Sequence, residues 1–133
     1  MSKIRDISLI IQDLSKVPGL KFVGGTSLFI QGKLESINDI DVTVQSVEEI
    51  KKIFDVRIID GTNGERAYSV HNGILIDIFI REDYEEAILV GENAMCVTIG
   101  SQIDYLTNKL KNNLSSGVRQ ETVAKIEYLK TLL

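Results

Sequence analysis

The sequence predicts an α/β protein of the α+β kind: one mixed β-sheet with helices packed on one side, followed by two C-terminal helices. Three observations carry that expectation. Ile4, Ile7, Ile11 and Leu14 recur at helical spacing, the mark of an amphipathic helix over residues 3–16. Ile40, Val42 and Val44 alternate with Asp39, Asp41 and Thr43, which is strand periodicity. Two strand-like runs, residues 66–70 and 74–80, flank His71-Asn72-Gly73, a strong hairpin signal. The order helix, strand, helix, strand, helix, two or three strands and two helices suits a mixed sheet covered by helices.

The elements follow in turn. Pro18-Gly19 ends the first helix, and Leu20 to Val23 forms a short strand leading into Gly24-Gly25. Thr26 or Ser27 caps a helix over Leu28 to Gln31 or a little beyond. Gly32 to Asn38 is a polar loop before the strand of Asp39 to Val44. Ser46, with Glu49 three residues on, resembles a capping box and predicts a helix from Val47 to Phe54. Residues 55–59 and 66–70 are strand candidates joined by the turn-rich Asp60-Gly61-Thr62-Asn63-Gly64. Residues 74–80 form a strand antiparallel to 66–70. Helical character is expected around 83–89, an extended segment at 95–99, and helices at 101–112 and 118–132 after the break at Ser115-Ser116-Gly117. No linker defines a second domain, so residues 1–133 are expected to form a single unit, with a core of 1–99 and a helical pair of 100–133.

The whole chain narrows the function classes. Its 133 residues suffice for one domain with a real core. Apolar residues make up 44% and charged ones 26%, as in globular proteins. The net charge of -4 argues against a nonspecific nucleic-acid binder, though a local basic rim remains compatible with it. Cys96 is the only cysteine and sits among apolar residues, so it reads as a buried, inert thiol. No Cys/His group has zinc-site spacing, and neither a signal peptide nor a membrane span is visible. The expected setting is cytoplasmic, with no membrane partner.

The chemistry lies in three aspartates. Asp39 and Asp41 share strand parity and therefore point the same way. Asp77 is sunk in the run Ile74-Leu75-Ile76-Asp77-Ile78-Phe79-Ile80, where an uncompensated carboxylate is costly. If its strand lies beside that of Asp39 and Asp41, the three carboxyl groups converge. Such a cluster repels itself, and one or two Mg²⁺ ions reverse that logic. Read structurally, Asp39 is an end-of-strand turn residue and Asp77 is paired with Arg66, Arg57 or a lysine. The glycine pair Gly24-Gly25, between a strand and a helix start, permits positive φ and close backbone approach, so its amides can face phosphate oxygens. Thr26 or Ser27 can add a hydroxyl donor. A plain tight turn is the simpler alternative for the glycines alone. No Gly-Lys-Ser/Thr follows, so this is not the P-loop.

Taken together, Phe22-Val23-Gly24-Gly25-Thr26-Ser27-Leu28, then Asp39-Ile40-Asp41-Val42, then Leu75-Ile76-Asp77-Ile78 resemble the nucleotidyltransferase-fold superfamily, especially its small bacterial or phage members. The resemblance implies a nucleotidyltransferase-like sheet. It also implies Mg²⁺ with ATP or another nucleoside triphosphate, and transfer of a nucleoside monophosphate to an acceptor with release of pyrophosphate. In that family's pattern Gly24 and Gly25 hold the triphosphate, Asp39 and Asp41 bind metal, and Asp77 joins the metal site and helps activate the acceptor. The tail is similar too, with Val97-Thr98-Ile99, Ile103, Lys109-Leu110, Arg119 and Tyr128-Leu129. It departs where relatives carry aspartates, offering Glu121 and Glu127 instead.

A triphosphate needs cationic partners beyond metal, and Lys109 and Arg119 are the first candidates, with Lys33 and Arg66 the second. His71 reads as a turn or edge residue. Phe22, Phe29, Phe54 and Phe79 read as core, and the four dispersed tyrosines give no sign of a base-stacking platform. The acceptor is open: a small molecule, a protein side chain or an RNA end. A homodimer or a partner protein would complete an acceptor cleft in so short a chain. The alternative is an inactive nucleotide-binding or protein-interaction module of the same fold, in the manner of toxin-antitoxin or defence systems.

Overall fold

In a computed structural model, described here for residues 2–59, 66–81 and 86–133, with side chains from residue 5 onward, a seven-stranded sheet forms the centre. Its strands are β1 (Lys21–Phe22), β2 (Ile40–Val44), β3 (Arg57–Ile58), β4 (Arg66–His71), β5 (Ile74–Ile80), β6 (Ala87–Val90) and β7 (Ala94–Val97). They lie in the order β3-β4-β5-β2-β1-β7-β6. The β2/β5 and β1/β7 pairs are parallel and the other four antiparallel, so the sheet is mixed as expected. Among the described residues four α-helices accompany it: α1 (Ser2–Leu14), α2 (Gly24–Ile30), α3 (Ile99–Lys109) and α4 (Ser116–Lys130).

Alternation builds the two faces. Ile40, Val42 and Val44 of β2 and Ile74, Ile76 and Ile78 of β5 are buried, and Ile7, Ile10 and Leu14 of α1 join them in the main core. Burying such side chains contributes roughly 1.5–3 kcal/mol each, which fixes the register because a one-residue slip would turn every one of them out. The register therefore turns Asp41, Asp77 and Phe79 toward the opposite face. A second apolar cluster, Leu28, Ile99 and Leu129 with Leu34, Ile103 and Leu106 packed against it, ties α2, α3 and α4 together. The β4–β5 hairpin turns through Asn72 at φ 52° and Gly73 at φ 77°, the two left-handed positions that an Asn-Gly pair supplies.

Several local expectations need correction. The capping helix does not begin after Thr26; α2 starts at Gly24 and carries Thr26 and Ser27 inside it, both fully buried. The helix expected over Val47 to Phe54 contracts to a 3-10 turn at Ile50–Lys52. Val47, Ile50 and Phe54 are buried nonetheless, so the apolar spacing was real. Two turns between β2 and β3 are too short to sustain an α-helix without more packing. Helical character at 83–89 gives way to strand β6, whose Ala87 to Val90 pair with Val97 to Ala94; residues 83–85 of that expectation, like the turn at 60–64, lie outside the described residues. There the hydrophobic run Ala87-Ile88-Leu89-Val90 is better served by cross-strand partners around Gly91, at φ 66°, than by a helix.

Candidate active site

The site begins at a hydroxyl. Thr26 Oγ1 accepts from the Asp41 amide at 2.8 Å and donates to the Asp39 carbonyl at 3.4 Å. The Val23 amide donates to the Asp41 carbonyl at 3.0 Å. The start of β2 is thus pinned to the strand–helix turn before it. Ser27 Oγ donates to the Val97 carbonyl at 2.7 Å and accepts from Gln31 at 2.8 Å, which locks α2 against β7. Sequence reasoning offered both hydroxyls to a ligand; the structure turns them inward and leaves the glycine backbone facing out.

Gly24 is held at φ +54°, a conformation open chiefly to glycine. A Cβ there would stand 3.0 Å from Asp41 Oδ2, so the carboxylate approaches the backbone where no side chain fits.

Asp41 and Asp77 are direct partners across the parallel β2/β5 pair and so share a face. Asp39 precedes β2 in an exposed bend. The Asp41 carboxyl is pushed up from 3.8 to about 6, first by burial and then by the charges of Asp77 and Asp39, while the Lys125 ammonium and the Arg66 guanidinium pull it down. Asp41 therefore feels the charges of both other aspartates, but the three do not close a cage. Among the described residues no three His, Cys, Asp or Glu side chains are grouped to hold a metal. Asp77 is instead engaged by Arg66, whose Nη2 donates to Oδ1 at 3.3 Å.

The shifted carboxyl has a stability consequence. Between pH 4 and 6 the folded protein binds more protons at Asp41 than the unfolded chain does, so this group favours folding at acid pH and the advantage is lost as pH rises through about 6. The full shift corresponds to about 3 kcal/mol, and solvent screening of a half-buried group reduces it to about 1–2 kcal/mol. In metal-free buffer Asp41→Asn is expected to stabilise the protein by about that amount at pH 7.5 and by close to nothing at pH 4, as measured by urea unfolding of both proteins.

Asp41 opens onto a cleft of about 530 Å³ between the sheet and the C-terminal helices. Val23, Gly24, Gly25 and Leu28 line its floor, and Gln102, Tyr105, Leu106 and Lys109 of α3 face Lys125, Tyr128 and Leu129 of α4. Phe79 and Arg81, from the end of β5, close one side. The Arg81 guanidinium lies 5.5 Å over the Phe79 ring and 4.3 Å over that of Tyr105, bridging sheet and helix.

Lys109 lines this cleft. Arg119 does not: it donates to the carbonyls of Leu110 and Asn112, at 3.0 and 3.1 Å, and closes the chain reversal between α3 and α4. Arg119→Ala is expected to lower stability by about 1–2 kcal/mol with nucleotide affinity unchanged, whereas Lys109→Ala weakens nucleotide binding by about tenfold with stability unchanged. Calorimetric titration with ATP and urea unfolding of each variant separate the two roles.

Lys125, Arg81, Phe79, Tyr105 and Tyr128 were not read as site residues. The signal was present, since Phe79 and Arg81 share the parity of Asp77, and Lys125, Tyr128 and Leu129 share a helix face. What was missing was knowledge that α3 and α4 face the carboxylates.

No family model and no curated protein matches the chain. Solved structures do. TM1012 from Thermotoga maritima, described as a candidate nucleotidyltransferase, is 13% identical, with a TM-score of 0.56 over 96% of this chain and 92% of that one. ANT(2")-Ia, solved in complex with adenylyl-2"-tobramycin, is 16% identical, with a TM-score of 0.56 over 98% and 89%. An antigenic nucleotidyltransferase-like protein from Paracoccidioides brasiliensis is 10% identical, with a TM-score of 0.51 over 98% and 77%. The chain therefore has the nucleotidyltransferase fold. Among the described residues no helix is long and apolar enough to cross a membrane.

Proposed function

We propose that the protein is a magnesium-dependent nucleotidyltransferase that moves a nucleoside monophosphate from ATP or another nucleoside triphosphate to an acceptor hydroxyl. The observation that carries this reading is the pairing of Asp41 with Asp77 across β2 and β5, beside the left-handed Gly24.

The residues present fit a hard cation. All the donors are carboxylate oxygens, and the proton affinity of Asp41, raised first by burial and then by the charges of Asp77 and Asp39, is of the kind a bound cation would lower. Mg²⁺ is commonly held by one or two carboxylates together with substrate phosphates, which accords with the absence of a closed three-ligand group among the described residues. Asp41 and Asp39 would hold it, with Asp77 completing the set once Arg66 moves aside. When bound, the ion would neutralise charge on the phosphates and on the carboxylates together.

The chain's own groups do the rest. The backbone at Gly24 and Gly25 lets the triphosphate approach, and Lys109 and Lys125 flank the cleft as its cationic wall. Leu106, Leu129 and Tyr128 exclude water from the nucleoside. The acceptor oxygen attacks the α-phosphorus, the bond to the β-phosphate oxygen breaks, and pyrophosphate leaves carrying that electron pair. The acceptor's proton passes to the Asp77 carboxylate, which sits next to Asp41 on the same face.

The Arg66–Asp77 ion pair favours a second reading, a nucleotide-binding module in which Arg66 permanently occupies the carboxylate. Pyrophosphate release decides between them. ATP binding that depends on Mg²⁺ and is followed by release supports the enzyme, while binding without release for any offered hydroxyl supports the module. In a homodimer or with a partner protein, a second chain would add to the acceptor wall; sedimentation at working concentration tests that.

A further inference from the structure

We propose that two copies of this chain join edge to edge through β6, antiparallel across a two-fold axis at Ile88, so that their two sheets become one. The proposal goes beyond the nucleotidyl-transfer reading and does not depend on it.

The edge is open and apolar. β6 ends the strand order, and among the described residues no strand lies beyond it. Sheets blunt an open edge with charge, proline, a bulge or extreme shortness. The other edge follows that rule, since β3 has two residues and carries the exposed Arg57. β6 does not follow it. Ala87-Ile88-Leu89-Val90 holds no charge and no proline. Ile88 is 46% exposed on one face of the sheet and Leu89 59% on the other.

The inner neighbour fixes which backbone groups of β6 point outward. The Thr98 amide donates to the Glu86 carbonyl at 2.9 Å, and these two residues continue the β6/β7 register. Hydrogen-bonded pairs alternate along an antiparallel ladder, so Ile88 and Val90 also bond inward, to Cys96 and Ala94. Ala87 and Leu89 therefore turn both amide and carbonyl to the open side.

These groups select the partner and the register. About a two-fold axis, outward residues of one copy must meet outward residues of the other. Of the registers that do so, the two with the longest overlap put either Ile88 or Leu89 opposite its own symmetry mate. The Leu89 register sets Glu86 against Glu92 of the second copy, and like charges directly opposite are destabilising. The Ile88 register sets Glu86 against Val90 instead. It lets Ala87 and Leu89 of each copy exchange both bonds with Leu89 and Ala87 of the other. The large Leu89 side chain then lies beside the small Ala87, and the exposed Ile88 covers its mate. A four-residue edge buries less than the about 800 Å² per partner of a standard interface, so the dimer is weak, with a Kd on the order of 100 μM.

Sedimentation equilibrium from about 10 to 500 μM is expected to show a monomer passing to a dimer and to nothing larger. Leu89→Pro removes an outward amide and keeps the ladder to β7, so it is expected to weaken association at least about tenfold with the circular dichroism spectrum retained. Leu89→Lys leaves the backbone intact and is expected to do the same. Cross-linking reads the register. It needs a Cys96→Ala background, because Cys96 is opposite Ile88 within one copy. There Ile88→Cys is expected to oxidise to a disulfide dimer, since opposed residues of a non-hydrogen-bonded pair stand about 4.5 Å apart at Cα. Leu89→Cys, although the more exposed site, is expected to stay reduced. A chain that remains monomeric over the whole range, association unchanged in Leu89→Lys, cross-linking at Leu89→Cys in preference to Ile88→Cys, or assemblies beyond the dimer overturns the proposal.

Discussion

Asp41→Asn is expected to abolish metal-dependent pyrophosphate release, by at least about 1,000-fold, while the fold survives. Of the three aspartates, Asp41 is the one that lines the cleft, touches the space reserved by Gly24, and feels the charges of Asp77 and Asp39. Asparagine keeps its size and its backbone hydrogen bonds to Thr26 and Val23, which run through main-chain atoms. Only the charge is removed. That charge is unfavourable in the metal-free protein, so the inactive variant should be the more stable one, and opposite signs for activity and stability mark a residue kept for function. A coupled pyrophosphate assay and a urea curve on the same preparations give both numbers. Retained turnover would show that Asp41 does not hold a metal ion that the reaction needs.

Gly24→Ala is expected to be the most damaging change outside the carboxylates. Alanine at φ +54° is strained by about 1–2 kcal/mol, and its Cβ would crowd Asp41 Oδ2 at 3.0 Å, bringing the total loss to about 1–3 kcal/mol. Relief requires moving either the turn or the carboxylate, so nucleotide binding should fall by at least about tenfold as well. Gly25→Ala provides the contrast. Its φ is not left-handed, and a Cβ there would meet only ordinary contacts with Leu34 and Ile37, at 3.7 and 3.8 Å. Urea midpoints and ATP titrations of the two variants should therefore diverge; equal effects would remove the argument for close approach at Gly24.

Much of the fold around this cleft is legible in the sequence. Period-two alternation at residues 39–44 and 74–80 fixed which side chains face the core, and Asn72-Gly73 fixed the hairpin. Those signals are local and are read from neighbours in sequence. The parts that sequence did not show are those set by distant packing. Thr26 and Ser27 carry cap-like hydroxyls, but burial between β2 and β7 redirects them to backbone partners 13 and 70 residues away. Arg119 looks like a phosphate ligand until α3 and α4 fold back and present it with the carbonyls of Leu110 and Asn112. Phe79 reads as core and Tyr105 as one of four dispersed tyrosines, and both become neighbours of Arg81 only when β5 meets α3. Strand 87–90 was misread because a short apolar run has no period that separates strand from helix.

The most direct test is a crystal structure with Mg²⁺ and a nonhydrolysable triphosphate. The account predicts metal bound to Asp41, phosphates against Gly24 and Gly25, and Arg66 displaced from Asp77. A triphosphate bound elsewhere, or one bound in the cleft with no metal and with Arg66 still on Asp77, would contradict it.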